Sequence, residues 1–276
     1  MEAVGRVGYD AAMSDPAKLQ DEWAPSGVKG AQTLDRGLDL LERVAREPMR
    51  IADLAERSGL SRGTAARLAN ALVDRGFLAV AGRGQLRAGP KLISLGSHAQ
   101  AQVDLPSAAR SHLQALAAQT GLCSFLGRRD GDWSVHMHRS QGSQRLLVAT
   151  PPGTRRLLPE TSLGRALLLD DDQDSWRRLL AEVDPASVPA DWEAGMRRSV
   201  AAGVVTHRGP PPDSIRSIAA PVRDASGRIV AAISIATVAP YLEEDGMAAL
   251  APTVRETAEA IGRALGWQGT GPRPPA

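Results

Sequence analysis

Between Gln32 and Arg87 the hydrophobic period switches from helical to extended, and this switch limits what the chain can fold into more than any other feature. Leu34, Leu38, Leu41, Val44 and Ala45 recur at helical spacing, and Pro48 ends the run. Ile51, Leu54 and Ala55 predict a short second helix that stops at Ser58-Gly59, where glycine suits a left-handed cap, with Leu60 anchoring the turn. Ser61 then caps a third helix. Ala65, Leu68, Ala69 and Leu72 face inward on it, while Arg62, Thr64, Arg67 and Asn70 point outward, and Gly76 closes it. Phe77–Val80, the turn Ala81–Gly84 and Gln85–Arg87 follow as a basic hairpin. Three short helices and a basic hairpin make a winged helix-turn-helix. In that motif the outward side chains early in the third helix reach base edges in the major groove, which assigns Arg62, Thr64 and Arg67 to base reading and Ser61 to the cap. Arg83 and Arg87 on the hairpin would hold phosphates of double-stranded DNA. The same shape also serves protein-interaction modules that bind no DNA.

Charge distribution favours the DNA reading. The chain carries 33 basic and 31 acidic residues, net +2, yet Lys29 to Lys91 holds 12 basic against 7 acidic. The surplus is nearly all arginine, whose fork matches a phosphate or a guanine edge. Five Trp, two Tyr and two Phe are too few for the stacking platforms that bind single strands.

The remaining chain divides readily. Residues 1–28 lack periodicity and read as a flexible extension, 29–90 as the winged helix, 91–105 as a linker helix, 106–267 as a second domain and 268–276 as a tail. In the linker Leu92, Leu95, Ala99 and Val103 form a stripe, and Pro106 is expected to end it. Beyond it, Ala108–Thr120 predicts an amphipathic helix closed by Gly121. Leu122–Leu126 and Trp133–Met137 predict strands around the turn Arg128–Asp132, and Leu146–Ala149 a further strand before the turn Pro151-Pro152-Gly153. Ser162–Leu169 opens a helix, and Asp170–Arg198 is charged and helical. Ile218–Val222 and Ile229–Val238 form an antiparallel hairpin around Asp224–Gly227, the second strand apolar enough for burial on both faces. Met247–Leu265 is a closing helix. Helices before and after antiparallel strands make an α+β sensor domain.

With these pieces in order, the chain from about 30 to 266 closely resembles the IclR family of bacterial transcription regulators. The likeness lies in Thr33–Leu41, in Gly59-Leu60-Ser61 with Thr64 and Arg67-Leu68, and in Leu86–Leu92. It continues in Ser162–Leu168 and in Ile218–Val222 ahead of Gly227-Arg228. The resemblance implies a winged helix joined by a helix to a GAF-like ligand-sensing domain, and a homodimer or homotetramer on a pseudo-palindromic operator. It places a small-molecule effector among Ser162, Leu163, His207, Ser217, Ser234 and Ala236. The start of the helix at Ser162 and Leu163 would offer unpaired amides to a carboxylate. Departures from the family pattern at Leu122, Pro159-Glu160, Ser217 and Ala236 suggest a more apolar pocket, favouring an aromatic or larger acid. The expected function is therefore a cytoplasmic, ligand-responsive regulator, a repressor by the family's commoner habit. Arg208–Pro212 looks stiff for a pocket loop.

Other chemistry finds less support. His136 and His138 stand two apart on a predicted strand, a spacing that could chelate a metal with His207 or Glu160 as third ligand, although a polar strand face explains them as well. Cys123, the single cysteine, falls on a core strand. Asp170-Asp171-Asp172 with Asp174 lacks the glycine and distal glutamate of a calcium loop and reads as a solvated helix start. With no phosphate loop and no Gly-x-Ser-x-Gly elbow, no cofactor and no enzyme is expected. The alternative is a metal-dependent sensor or enzyme tethered by the winged helix. The longest uncharged apolar run, Ile229–Ala239, is too short for a bilayer, and the acidic first thirty residues do not resemble a secretory leader.

Overall fold

The computed structural model describes residues 31–102, 104–145, 148, 150–209 and 214–269. The expected extension 1–28, most of the tail, Val103, all but Val148 of the strand Leu146–Ala149, and Pro210–Pro212 lie outside the described residues. The chain forms two compact units, one up to Ala101 and one from Gln102. Among the described residues no helix is long and apolar enough to cross a membrane.

The first unit runs α1 (Gln32–Arg46), β1 (Met49–Arg50), α2 (Ile51–Arg57), α3 (Arg62–Asp74), β2 (Leu78–Ala81), β3 (Gln85–Ala88) and α4 (Pro90–Gln102). Leu40, Val44, Leu54 and Ala69 from the helices meet Met49, Leu78 and Leu86 from the strands in one small core. On α1 only part of the expected apolar stripe buries: Val44 is in the core and Leu41 half-buried, whereas Leu34, Leu38 and Ala45 are exposed and Leu40, outside the expected set, is fully buried. The wing is a three-stranded antiparallel sheet in the order β1-β3-β2, with Leu86 opposite both Met49 and Val80. β1 was not expected: two residues show no period, and pairing with β3 alone makes them a strand. At the base of the wing the Gly89 N–H donates to Phe77 O (2.8 Å) and the Lys91 N–H to Gly76 O (3.0 Å). A β-carbon on Gly89 would stand 2.2 Å from Gly76 O, so a side chain there would push the wing off the end of α3. On α4 the expected apolar stripe is largely uncovered within the chain. Leu92 is half-buried, Leu95 and Ala99 are exposed, and so is Ile93.

The second unit runs α5 (Leu105–Thr120), β4 (Cys123–Asp130), β5 (Trp133–Ser140), β6 (Arg155–Leu157), α6 (Ser162–Ala166), α7 (Gln173–Leu180), α8 (Trp192–Ala202), β7 (Val205–Arg208), β8 (Ile215–Arg223), β9 (Ile229–Val238) and α9 (Glu244–Ala264). Pro106 begins α5 rather than ending the helix before it, because proline at the second position loses no helical hydrogen bond. Six antiparallel strands lie in the order β6-β5-β4-β9-β8-β7. β9 is central, and its side chains alternate between two cores. Ala231, Ile233 and Ile235 pack with Leu113 and Leu116 of α5 and Val254, Ala258 and Ile261 of α9. Ala232 and Ala236 pack with Leu163 of α6, Trp176 of α7 and Trp192 of α8. This double burial is why β9 reads as one continuous apolar run. Cys123 is part of the second core.

The turn expected over Arg128–Asp132 contracts to Gly131 and Asp132, since β4 and β5 continue pairing to Asp130 and Trp133. Neither β6 nor β7 was expected as a strand. The acidic run proves structural. Asp170 accepts two hydrogen bonds from Arg223 (2.6 and 2.7 Å), Asp171 accepts two from Arg129 (3.0 and 2.8 Å), and Asp172 caps α7 by accepting from Ser175 N–H (2.8 Å). The first two are bound charges, not the solvated helix start anticipated.

Candidate functional site

The face expected to meet DNA is assembled as the period implied. Ser61 has extended backbone, and its Oγ accepts from Thr64 N–H (3.2 Å) and lies 2.9 Å from Thr64 Oγ1, so α3 is capped where reading would begin. The Thr64 hydroxyl is shared with that cap. Arg62, Arg67 and Asn70 are exposed, whereas Ala65 and Ala69 on the opposite side are fully buried. Arg83 sits at the wing tip with φ +62° beside Gly84, and Arg87 projects from β3; both are exposed. Among the described residues none of Arg62, Arg67, Arg83 and Arg87 has an ion-pair partner. Four guanidinium groups are left facing solvent.

The second unit holds a cavity of about 350 Å³ between the sheet and α6. All six residues assigned to effector binding line it: Ser162, Leu163, His207, Ser217, Ser234 and Ala236. Register explains part of this convergence. Ser217 on β8 lies opposite His207 on β7 and Ala236 on β9, and residues opposite one another share a face. Gly164 lets α6 pack against the preceding turn, since a β-carbon there would stand 2.3 Å from Leu158 O. Ser162 and Ser217, both buried, face each other with Oγ atoms 2.7 Å apart. Either can donate in that pair, and the other then has a proton for a ligand. The helix dipole invoked from sequence finds little support in this geometry. α6 has only five residues, too few aligned peptides for a sizeable dipole, and the Gly164 N–H is already taken by Thr161 Oγ1 (3.0 Å).

Among the other lining residues, Phe125, His136 and Arg156 were not assigned to the effector by the sequence reading. His136 and Arg156 add polar groups to this lining, and Phe125 adds apolar wall. Leu122, one of the departures from the family pattern, packs into the core under α5 instead. His136 and His138 were expected on one face, but the β4–β5 pairing shifts register between Leu126 and Gly127, leaving Met137 as an extra residue. His136 consequently enters this cavity, in edge-to-face contact with Phe125, while His138 lines a different one with Gln114 and Ala117. That separation breaks the metal pair. Among the described residues no group of three or more His, Cys, Asp or Glu could hold a metal ion.

The cavity keeps its imidazoles neutral. Burial, with the charges of Arg165 and Arg216, holds His207 down to about 4. Burial likewise lowers His136, aided by Arg156 and opposed by the Thr154 carbonyl. Each has a buried Nδ1 without a hydrogen-bond partner among the described residues. Phe125, Leu163, Ile215 and Ala236 supply apolar wall between these polar points.

Similarity to known proteins agrees with both halves. The chain is 28% identical over 254 residues to the DNA-binding transcriptional repressor YiaJ of Escherichia coli, covering 86% of this chain and 89% of that one. Its fold matches the repressor BlcR of Agrobacterium tumefaciens at TM-score 0.71 and 23% identity, over 87% of this chain and all of that one. It also matches an IclR homologue of Microbacterium hydrocarbonoxydans complexed with 4-hydroxybenzoate, at TM-score 0.50 and 21% identity, over 84% of this chain and 98% of that one. The IclR helix-turn-helix domain matches residues 33–81, and the C-terminal domain of the bacterial transcriptional regulator IclR matches residues 97–263. With both domains present in that order over most of its length, the chain belongs to the IclR family of DNA-binding bacterial transcriptional regulators.

Proposed function

We propose that this regulator is a repressor that binds duplex operator DNA through α3 and the wing and is switched by a small organic acid in the cavity of the second unit. The observation that carries the ligand half is the buried Ser162–Ser217 hydroxyl pair beside two neutral imidazoles and an apolar wall. Such a lining suits a carboxylate or hydroxyl on a flat apolar body, and an aromatic acid fits that description. The homologue complexed with 4-hydroxybenzoate supports the same class. On this reading Arg62 and Arg67 read bases with Thr64 beside them, Ser61 caps the reading helix, and Arg83 and Arg87 hold phosphates. The protein acts without catalysis, in the cytoplasm, as a homodimer or homotetramer whose symmetry matches the operator.

Switching requires the acid to bind the DNA-competent and DNA-released states unequally. The test is a gel-shift titration of the purified protein on its own upstream intergenic DNA across a salt series, with and without aromatic and short-chain acids. Specific binding with a steep salt slope, released by one acid, is the expected result. Specific binding that every acid strengthens or ignores would overturn the proposed switch. Ser162→Trp should fill the cavity and abolish release while operator affinity stays unchanged; release that persists in this variant would remove Ser162 from the effector site.

A further inference from the structure

α6 and β7 divide the cavity just described from a second one, of about 430 Å³, lined by Arg165, Asp191, Arg198, Ser199, Thr206 and Arg208 among others. Alternation along both elements makes this possible. Ser162, Leu163 and His207 face the first cavity, while Arg165, Thr206 and Arg208 face the second.

Arg165 is the unusual member. It is only 6% exposed. Its Nε donates to Pro159 O (2.7 Å), its guanidinium lies 5.7 Å from the centre of the Trp192 ring, and its buried Nη2 has no hydrogen-bond partner among the described residues. The carboxylate that lines the cavity, Asp191, is engaged by Arg198 (2.7 Å), and Arg208 pairs with Glu244 outside the cavity. Three guanidinium groups thus line the space with one carboxylate. Burial pushes Arg165 down to about 10, which still leaves it charged at neutral pH. An ion taken out of water is ordinarily matched by a counter-charge, because desolvation penalises the charged form. Arg165 contacts a carbonyl and a ring, and the counter-charge it feels, that of Asp191, opposes burial without a hydrogen bond to it and is itself held by Arg198.

We propose that this second cavity binds an oxyanion, a phosphate or carboxylate group, with Arg165 as its principal donor. The site is independent of the effector reading of the first cavity. Since α6 and β7 form the shared wall, an anion here would sit on the back of the elements that carry Ser162 and His207.

The experiment is thermal melting of the full chain titrated with sodium phosphate or sodium acetate against sodium chloride at constant ionic strength. The expected result is a saturable rise in Tm with at least one oxyanion, shifted to about tenfold higher anion concentration in Arg165→Met, the loss of a charge-assisted bond. A rise with phosphate alone identifies a phosphate group, and a rise with acetate alone a carboxylate. Ser199→Glu, at a half-buried position on α8, adds a carboxylate to the lining; it should raise Tm without added anion and remove the titration. Should Arg165→Met fail to fold, this second variant decides. No saturable rise with either oxyanion, or one of equal midpoint in the wild type and Ser199→Glu, would overturn the site.

Discussion

In the first unit Arg62, Arg67, Arg83 and Arg87 are exposed without a carboxylate partner among the described residues. In the second, Arg178 and Arg223 each fork two nitrogens onto one carboxylate, Asp132 and Asp170, and Arg129 reaches both oxygens of Asp171. The residue type is the same and its role is opposite. Arg223, whose side chain is 10% exposed, ties β8 to the segment after α6 and also donates to Gly227 O (2.7 Å). A guanidinium paired in this way has spent its donors inside the fold. One left unpaired on a helix that begins a groove-reading motif keeps all five for an outside acceptor. Counting arginines in the sequence therefore measures neither stability nor binding until their partners are known.

Substitutions can break this contrast, and the largest effect should come from the paired side. Asp170→Ala strands a nearly buried Arg223 and is expected to cost about 3 kcal/mol, at the low end for a broken buried pair because Asp170 itself is a third exposed. Urea unfolding of the second unit would check it, while operator affinity of the folded protein stays unchanged. His207 sharpens the contrast from another side, as a group its surroundings hold uncharged. Its folded value, about 4, lies below the ordinary 6.5, so between those limits the unfolded chain takes up a proton that the folded chain refuses. Stability should fall as pH is lowered from 6.5 towards 4, and His207→Gln should flatten that part of a Tm-against-pH curve. An unchanged curve would mean that the imidazole is not held neutral.

On the unpaired side, Arg67→Ala should leave Tm alone and cost about 1–3 kcal/mol of operator affinity. A gel-shift midpoint equal to wild type would strike Arg67 from the reading set. The smallest effect is expected at the wing. Arg87→Ala should weaken binding to all sequences alike and reduce the slope of log affinity against log salt by about 1.

How far these features could be read in advance depended on whether their cause was local. Ser61, Gly59 and Gly76 are local signals, and the helix they bracket lies where they placed it. β1, β6 and β7 are two to four residues long and exist because a neighbouring strand pairs with them, which no period within Met49–Arg50 or Val205–Arg208 can announce. The same limit explains the cavity. Ser162, Ser217 and His207 were placed by resemblance to a family, but Arg156 arrives on the unforeseen β6, and His136 is turned away from His138 by a bulge that depends on the β4–β5 register.

The position of β9 has a dynamic consequence. With β4 on one edge, β8 on the other and a core on each face, its amides should be among the last to exchange with solvent deuterium, opening only when the whole unit unfolds. On the proposed function, Ser234 and Ala236 would offer a ligand a surface that does not melt locally. Whatever binding does to this unit must be conveyed by packed elements shifting as bodies, and the slow-exchanging amides of β9 should stay slow whether or not the cavity is filled.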